Sequence, residues 1–322
     1  MHRVYKTYQY LLLGALALAW GCRKDVEDFR PYTPTQEDLA QLFLKAPDNS
    51  THTVFPLGGS IPDTTLTTAS GVRVFLADTE HLFADDAGTP VPCSTCPSLK
   101  VEVTTVLSKG DLAARGLPTS AVADGQLLES VGVVQVQANC AGKNLNLLPN
   151  RYLKIQIPTP EVKSNMNVYA GTFDDTDKFT GWKASGASVF WADWPLPGGG
   201  LQTGYELIVP ELGYSNCARP IVEQTSSFCV TLPGQFSALN TRVFLVFDNI
   251  RTVAELQGTD DSSEFCYPGA PLGYPVKIVA VSKTGGQYWL TNQFTEIGSN
   301  VKMSVAPLPQ SEADILTFIK GL

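Results

Sequence analysis

The sequence predicts a mainly β protein: two β-sandwich-like domains after a leader and tether, closed by one short helix. Three observations lead there. Short segments rich in valine, isoleucine, threonine and aromatics alternate inward and outward, as 152–158 does in Tyr-Leu-Lys-Ile-Gln-Ile-Pro. The 27 glycines and 22 prolines punctuate these segments as turn residues do. Long stretches with a 3.6-residue apolar period are nearly absent. At 322 residues the chain exceeds one comfortable core, so two domains are the default.

Residues 1–21 read as a signal peptide. Arg3 and Lys6 give a short positive region, and the apolar run 11–19 is about half the roughly 20 residues that a membrane-spanning helix needs. Gly21 places a small side chain directly before Cys22, as a lipoprotein signal peptidase requires. The segment Leu18-Ala19-Trp20-Gly21-Cys22 resembles a bacterial lipobox, with the aliphatic residue one position early and Trp20 bulkier than usual. The resemblance implies lipidation at Cys22, so the mature chain is held to a membrane by acyl chains, with no transmembrane helix. The charged stretch Arg23-Lys24-Asp25-Val26-Glu27-Asp28 resembles the surface-export signal of Bacteroidota lipoproteins, which implies the outer face of the outer membrane; a solvated tether is the plainer alternative.

Residues 22–50 read as the lipidated tether, punctuated by Pro31, Pro34 and Pro47, with one or two amphipathic helical turns over 37–46. The first domain is assigned to 51–160, with strands at 51–57, 64–68, 72–77, 99–107, 128–138, 144–148 and 152–158. The polar stretch 108–125 interrupts them and has room for a helical turn. Pro158-Thr159-Pro160 serves as the linker, because prolines stiffen the chain and block strand pairing. The second domain, 161–322, has strands at 167–173, 188–192, 205–212, 228–232, 242–249, 276–283, 288–294 and 301–306. Thr284-Gly285-Gly286-Gln287 marks a hairpin. Ser311 caps a C-terminal helix whose apolar face carries Ile315, Leu316 and Ile319.

The formal charge is −8, and removal of Arg3 and Lys6 with the leader takes it to about −10. An acidic surface excludes nucleic acid as a partner, since phosphate binding needs Lys and Arg. Of the 7 cysteines, Cys22 goes to lipid. Cys93, Cys96, Cys140, Cys217, Cys229 and Cys266 are candidate disulfide residues in an oxidising compartment, with 15 possible connectivities. The boundary at 160 splits them three and three, so either one bridge crosses it or each domain keeps a thiol. Cys93-Ser94-Thr95-Cys96 lies between Pro92 and Pro97; it reads as a structural disulfide in a surface loop rather than a zinc or redox site.

Behind the lipobox come Phe55-Pro56-Leu57-Gly58-Gly59, Gly71-Val72-Arg73-Val74, Ser108-Lys109-Gly110-Asp111-Leu112, Leu127-Leu128-Glu129-Ser130-Val131-Gly132 and Gly142-Lys143-Asn144-Leu145. This order resembles two-domain surface lipoproteins of Bacteroidota, the first domain being similar to the β-sandwich shared by netrin receptors and ankyrins. The resemblance implies a fold and a habitat, with no established activity. Some sandwiches of that type cleave themselves at a His-Phe-Ser site. Here His81-Leu82-Phe83-Ala84 lacks the hydroxyl that would attack the backbone.

Candidate chemistry is sparse. His81 with Asp78, Glu80, Asp85 and Asp86 reads as a solvated turn, because the EF-hand ligand order is absent. Asp174, Asp175 and Asp177 read as a hairpin tip. Phe190, Trp191 and Trp194 precede the run Pro195-Leu196-Pro197-Gly198-Gly199-Gly200. Core packing is the default for such rings; Trp191 is assigned to the core, and Trp194, next to the glycines, is the candidate for an exposed ligand contact able to stack on a sugar. No G-x-S-x-G elbow, H-E-x-x-H, P-loop or dinucleotide fingerprint occurs, so no catalytic residue, metal ligand or cofactor is assigned. The chain is expected to act as a non-catalytic surface interaction or structural module with an envelope protein partner; a glycan-binding or nutrient-uptake accessory protein is the alternative.

Overall fold

The computed structural model describes residues 36–47, 51–58, 63–196 and 198–322; residues 1–21, Cys22 and the charged run after it lie outside them. Strands make up 52% and helices 10%, so the protein is mainly β. The first strands are β1 (His52–Leu57), β2 (Thr64–Thr67), β3 (Arg73–Leu76), β4 (Phe83–Ala84), β5 (Leu99–Val106), β6 (Leu128–Cys140), β7 (Lys143–Asn144), β8 (Asn146–Leu147) and β9 (Leu153–Pro158). Next come β10 (Asn167–Phe173), β11 (Phe179–Ala184), β12 (Ser188–Pro195), β13 (Leu201–Val209), β14 (Gly213–Pro220) and β15 (Thr225–Thr231). The rest are β16 (Thr241–Phe247), β17 (Val253–Gly258), β18 (Glu264–Pro271), β19 (Pro275–Thr284), β20 (Gln287–Glu296), β21 (Val301–Ser304) and β22 (Leu308–Gln310). Among the described residues three α-helices join them: α1 (Ala40–Lys45), α2 (Lys109–Ala114) and α3 (Glu312–Lys320).

Two sheets face each other as a sandwich, one in the order β1-β5-β6-β14-β10-β11 with β7 on β6, the other β12-β13-β9-β3-β2. A third sheet, β21-β15-β18-β17-β16-β19-β20-β22, curls into a half-barrel. Strand parity explains the layers. Val101 and Val103 of β5, Ile155 and Ile157 of β9, and Leu207 and Val209 of β13 fill the sandwich. Val243, Leu245 and Phe247 of β16 and Ile278 and Ala280 of β19 fill the half-barrel. Their neighbours Phe244, Val246, Val279 and Val281 point the other way. They meet the three helices and Val106, Val133 and Ala218 of the sandwich. β16 and β19 are thus buried on both faces and read as continuous apolar runs.

This shared apolar layer makes residues 34–322 one compact unit, and the expected boundary at Pro158–Pro160 is corrected. β9 pairs with β13 and β6 pairs with β14, so strands from either side of residue 160 share both sandwich sheets. The prolines end β9 without separating cores. The chain leaves the sandwich for the half-barrel between β14 and β15. The expected tether over 22–50 is corrected for its described part. α1 forms where the helical turns are predicted, but Leu42 and Phe43 are buried against Phe244, and Lys45 bonds Glu312 at 2.7 Å.

Local signals hold at the other helices. Ser108 and Ser311 accept from Asp111 N at 3.0 Å and Asp314 N at 3.1 Å, capping α2 and α3. The hairpin β19–β20 turns through Gly285 and Gly286 at φ +58° and +76°, the left-handed conformation that glycine adopts freely.

Two disulfides form, Cys96–Cys140 and Cys229–Cys266. Cys96 bridges to the end of β6, so Cys93-Ser94-Thr95-Cys96 is no internal disulfide: its 3₁₀ turn leaves Cys93 in the sandwich core. Cys93 and Cys217 are both buried thiols, one on each side of residue 160. Burial pushes the Cys217 thiol up to about 12, which makes it inert as a nucleophile.

Candidate functional site

The aromatic stretch predicted to contact a ligand lies on β12, the edge strand of the second sandwich sheet. Its two tryptophans take the reverse of their expected places. Trp194 is only 3% exposed; its ring lies over Gly204, where an added Cβ would meet it at 2.6 Å. The missing side chain makes the hollow that the indole fills, so Trp194 is a packing residue, and the assignment of an exposed contact is overturned. Trp191 is 40% exposed and packs edge-on to Tyr205 at 5.4 Å, whereas Phe190 on the opposite face is 55% exposed. Among the described residues β12 therefore offers eight residues of unpaired strand edge flanked by two exposed rings. It lacks the lysines, short length and mid-strand proline that usually blunt such an edge.

Two clefts flank the β10–β11 hairpin. β10 pairs with β14 only over Asn167–Ala170, and a bulge interrupts its ladder to β11 at Thr172/Phe173. In the wedge beyond Ala170 a cleft of about 630 Å³ opens, lined by Gln135 and Gln137 of β6, Tyr214 of β14, Phe173, Lys183 and Glu211. On the other side of the hairpin a second cleft of about 740 Å³ is lined by Arg115, Lys178 and Arg242 and by Asp174, Asp177 and Glu255. Phe173 and Asp177 border both. Phe173 is 43% exposed and meets Phe179 edge-on at 5.5 Å and Tyr214 at a tilt at 5.7 Å; Phe179 in turn rests on buried Trp182 at 5.0 Å. Trp182 donates to Pro118 O at 2.9 Å, which anchors this aromatic row.

The polar groups around the clefts are held in different ways. Arg242 forks onto Glu255 at 2.7 and 2.8 Å, with its guanidinium over the rings of Phe43 and Phe244. Asp174 accepts from Thr176 Oγ1 at 2.7 Å and from the backbone N–H groups of Thr176 and Lys178 at 2.9 and 3.0 Å. Those bonds hold its carboxyl below the usual range and fix the hairpin tip predicted for this stretch. Burial raises the Tyr214 phenol, against the nearby Arg115 charge. Gln135 and Gln137 make no side-chain hydrogen bond among the described residues.

A third cluster lies where sandwich and half-barrel meet. Glu129, 3% exposed, accepts from Lys163 Nζ and from Arg219 Nε at 2.7 Å. Burial pushes this carboxyl up, but the bonds from Lys163 and Arg219 outweigh it, so it sits below its ordinary value. Tyr205 fixes the Lys163 backbone, accepting from its N–H at 2.6 Å and donating to its carbonyl at 2.7 Å. The closed geometry is a clamp between strands. His81, by contrast, stays on the surface, bonded to Asp78 at 2.8 Å, which also meets Arg151 at 3.0 Å.

Sequence reasoning missed Phe173, Tyr214, Gln135 and Gln137. A signal was present in Val133-Val134-Gln135-Val136-Gln137, where glutamines fall at alternate positions of a strand otherwise apolar. The chain matches no protein-family model, and no curated protein sequence matches it.

Proposed function

We propose that this chain is a cell-envelope lipoprotein, anchored through Cys22 at the outer membrane and displayed on the surface, which acts as an interaction module by presenting the β12 edge to an extended strand of an envelope protein. The observation that carries the reading is the edge itself: eight residues of strand whose outer side pairs with no strand among the described residues, with Phe190 and Trp191 exposed beside them. Main-chain hydrogen bonds from an added strand would complete the sheet, and the two rings would give side-chain selectivity. The lipobox-like segment and the acidic stretch after Cys22 supply the address. The reading assigns no catalytic residue and no cofactor.

The test is a mild-detergent pull-down of the tagged protein from its own membranes, with mass spectrometry of what accompanies it, run on wild type and on Phe190→Ser/Trp191→Ser. Circular dichroism checks that the variant is folded. A stoichiometric protein lost with the double variant supports the edge as the contact. The same protein captured by both forms, or none by either, sinks the proposal. Radiolabelled palmitate incorporation, abolished by Cys22→Ala, tests the anchor separately.

A further inference from the structure

We propose that the groove on either side of the β10–β11 hairpin binds a neutral oligosaccharide, with one sugar face stacked on Phe173. The groove shares no residue with the β12 edge and stands whether or not that edge docks a partner. Three features point to this ligand class.

The first is size and shape. Each cleft, at about 630 and 740 Å³, falls within the range of small-ligand sites, and Phe173 borders both, so an extended ligand crossing the hairpin would pass over one ring. The second is charge. The larger cleft is lined by three cationic and three anionic side chains, which leaves no net sign to attract a phosphate or a polyanion.

The third is hydrogen bonding. Gln135 and Gln137 lie two residues apart on one face of β6 and line the smaller cleft. Each amide offers both donor and acceptor, and no group among the described residues uses them. A purely apolar ligand would bury these amides unpaired and lose their hydration without replacing it. Sugar hydroxyls donate and accept alike and so suit amides, Asp177 and Lys183 together, while the C–H face of a pyranose meets the electron-rich face of Phe173.

The experiment is a microarray of neutral, amino and acidic oligosaccharides read with the purified full chain, followed by titration calorimetry with the best neutral hit. Wild type is compared with Phe173→Ala and Gln137→Ala. Gln137 is surface-exposed on a long strand, so its variant keeps the test valid if the Phe173 variant folds poorly; thermal melts report that. The expected result is binding of a neutral oligosaccharide, weakened about tenfold or more by Phe173→Ala and about threefold to tenfold by Gln137→Ala. No binding across the array, binding to acidic sugars alone, or neutral binding unchanged in both variants overturns the proposal. A ligand that proves to be only a peptide overturns it too.

Discussion

Phe43→Ala separates a docked N-terminal helix from a tether. Phe43 is buried in the layer between the β bodies, its ring 6.0 Å from Phe244 and its face 4.5 Å from the Arg242 guanidinium. Truncating a buried phenylalanine costs about 3–5 kcal/mol. The aromatic pair and the cation–π contact are part of that loss, because they share the same atoms. α1 is only six residues long and Leu44 beside it is 73% exposed, so the surroundings relax easily and the cost falls at about 3 kcal/mol. At about 2–3 °C per kcal/mol for a unit of this size, the melting temperature falls by about 6–9 °C. Urea unfolding followed by tryptophan fluorescence gives the free energy, and calorimetry gives the shift in Tm. Leu44→Ala is the control, expected within about 0.5 kcal/mol of wild type. A Phe43→Ala variant as stable as Leu44→Ala would refute the packing and return residues 36–47 to the tether.

Three further outcomes are expected. Peptide mapping without reduction should recover Cys96–Cys140 and Cys229–Cys266, whose 44- and 37-residue separations give each bridge a ceiling of about 4 kcal/mol by chain entropy; alkylation of Cys93 and Cys217 should need denaturant, and labelling of either in the native protein would contradict their burial. The Glu129 carboxyl sits below its ordinary value of 4.5 when folded; its stabilisation is therefore complete above about pH 4.5 and is lost as pH falls through the lower folded value. Glu129→Gln should flatten this acid limb and destabilise the protein at neutral pH by about 3 kcal/mol, since it takes the carboxylate from Arg219 and leaves Lys163 with Glu161 at 3.4 Å; an unchanged limb in pH-dependent urea melts would remove the clamp. A Cβ on Gly110 would lie 1.9 Å from the Ile319 carbonyl oxygen, so Gly110→Ala should cost about 2–3 kcal/mol where Gly234→Ala, with nothing near its Cβ, should cost under 1 kcal/mol; equal thermal melts would deny the close approach of α2 to α3.

Much of the β pattern is legible locally because strand parity is local. β5, β6, β9, β19 and β20 all lie where alternation or valine-rich runs place them. The capping serines and the Gly285-Gly286 turn are local in the same sense. Six strands escape that reading, two of which, β4 and β22, are only two and three residues long. β14 is Gly-Tyr-Ser-Asn-Cys-Ala-Arg-Pro, poor in β-branched residues, yet it sits between β6 and β10 in mid-sheet. The Oδ1 of its buried Asn216 accepts from Ser130 Oγ at 2.7 Å, a partner 86 residues away, which no local pattern announces. β18 carries two prolines and a glycine, residues that argue against a strand. β11 and β17 are six residues each and contain glycine. The domain boundary fails for a related reason: Pro158 and Pro160 report a stiff turn, whereas the pairs β6–β14 and β9–β13 that cross it are long-range. Trp191 and Trp194 lie three apart and so on opposite faces of β12. Which face is covered depends on Gly204 of the neighbouring strand, and no local pattern states that.

The first sandwich sheet shows why a groove forms where it does. Along one of its faces the row Val106, Val133 lies under the helical layer. Two residues further, the row is Thr104, Gln135 and Tyr214, and then Glu102 and Gln137. One face of one sheet thus passes from apolar and covered to polar and open within two steps of strand parity. β6 runs thirteen residues, well beyond the usual five or six, and its far half is not covered by the helices. In that half Val134, Val136 and Ala138 face the sandwich core, whereas Gln135 and Gln137 on the opposite face belong to no core cluster and are free to serve a ligand at small cost in stability. Gln137→Ala should accordingly change the unfolding free energy by less than about 0.5 kcal/mol. A larger loss would mean that the glutamine row is part of the packing, and the open half of the sheet would then need a structural explanation in place of a functional one.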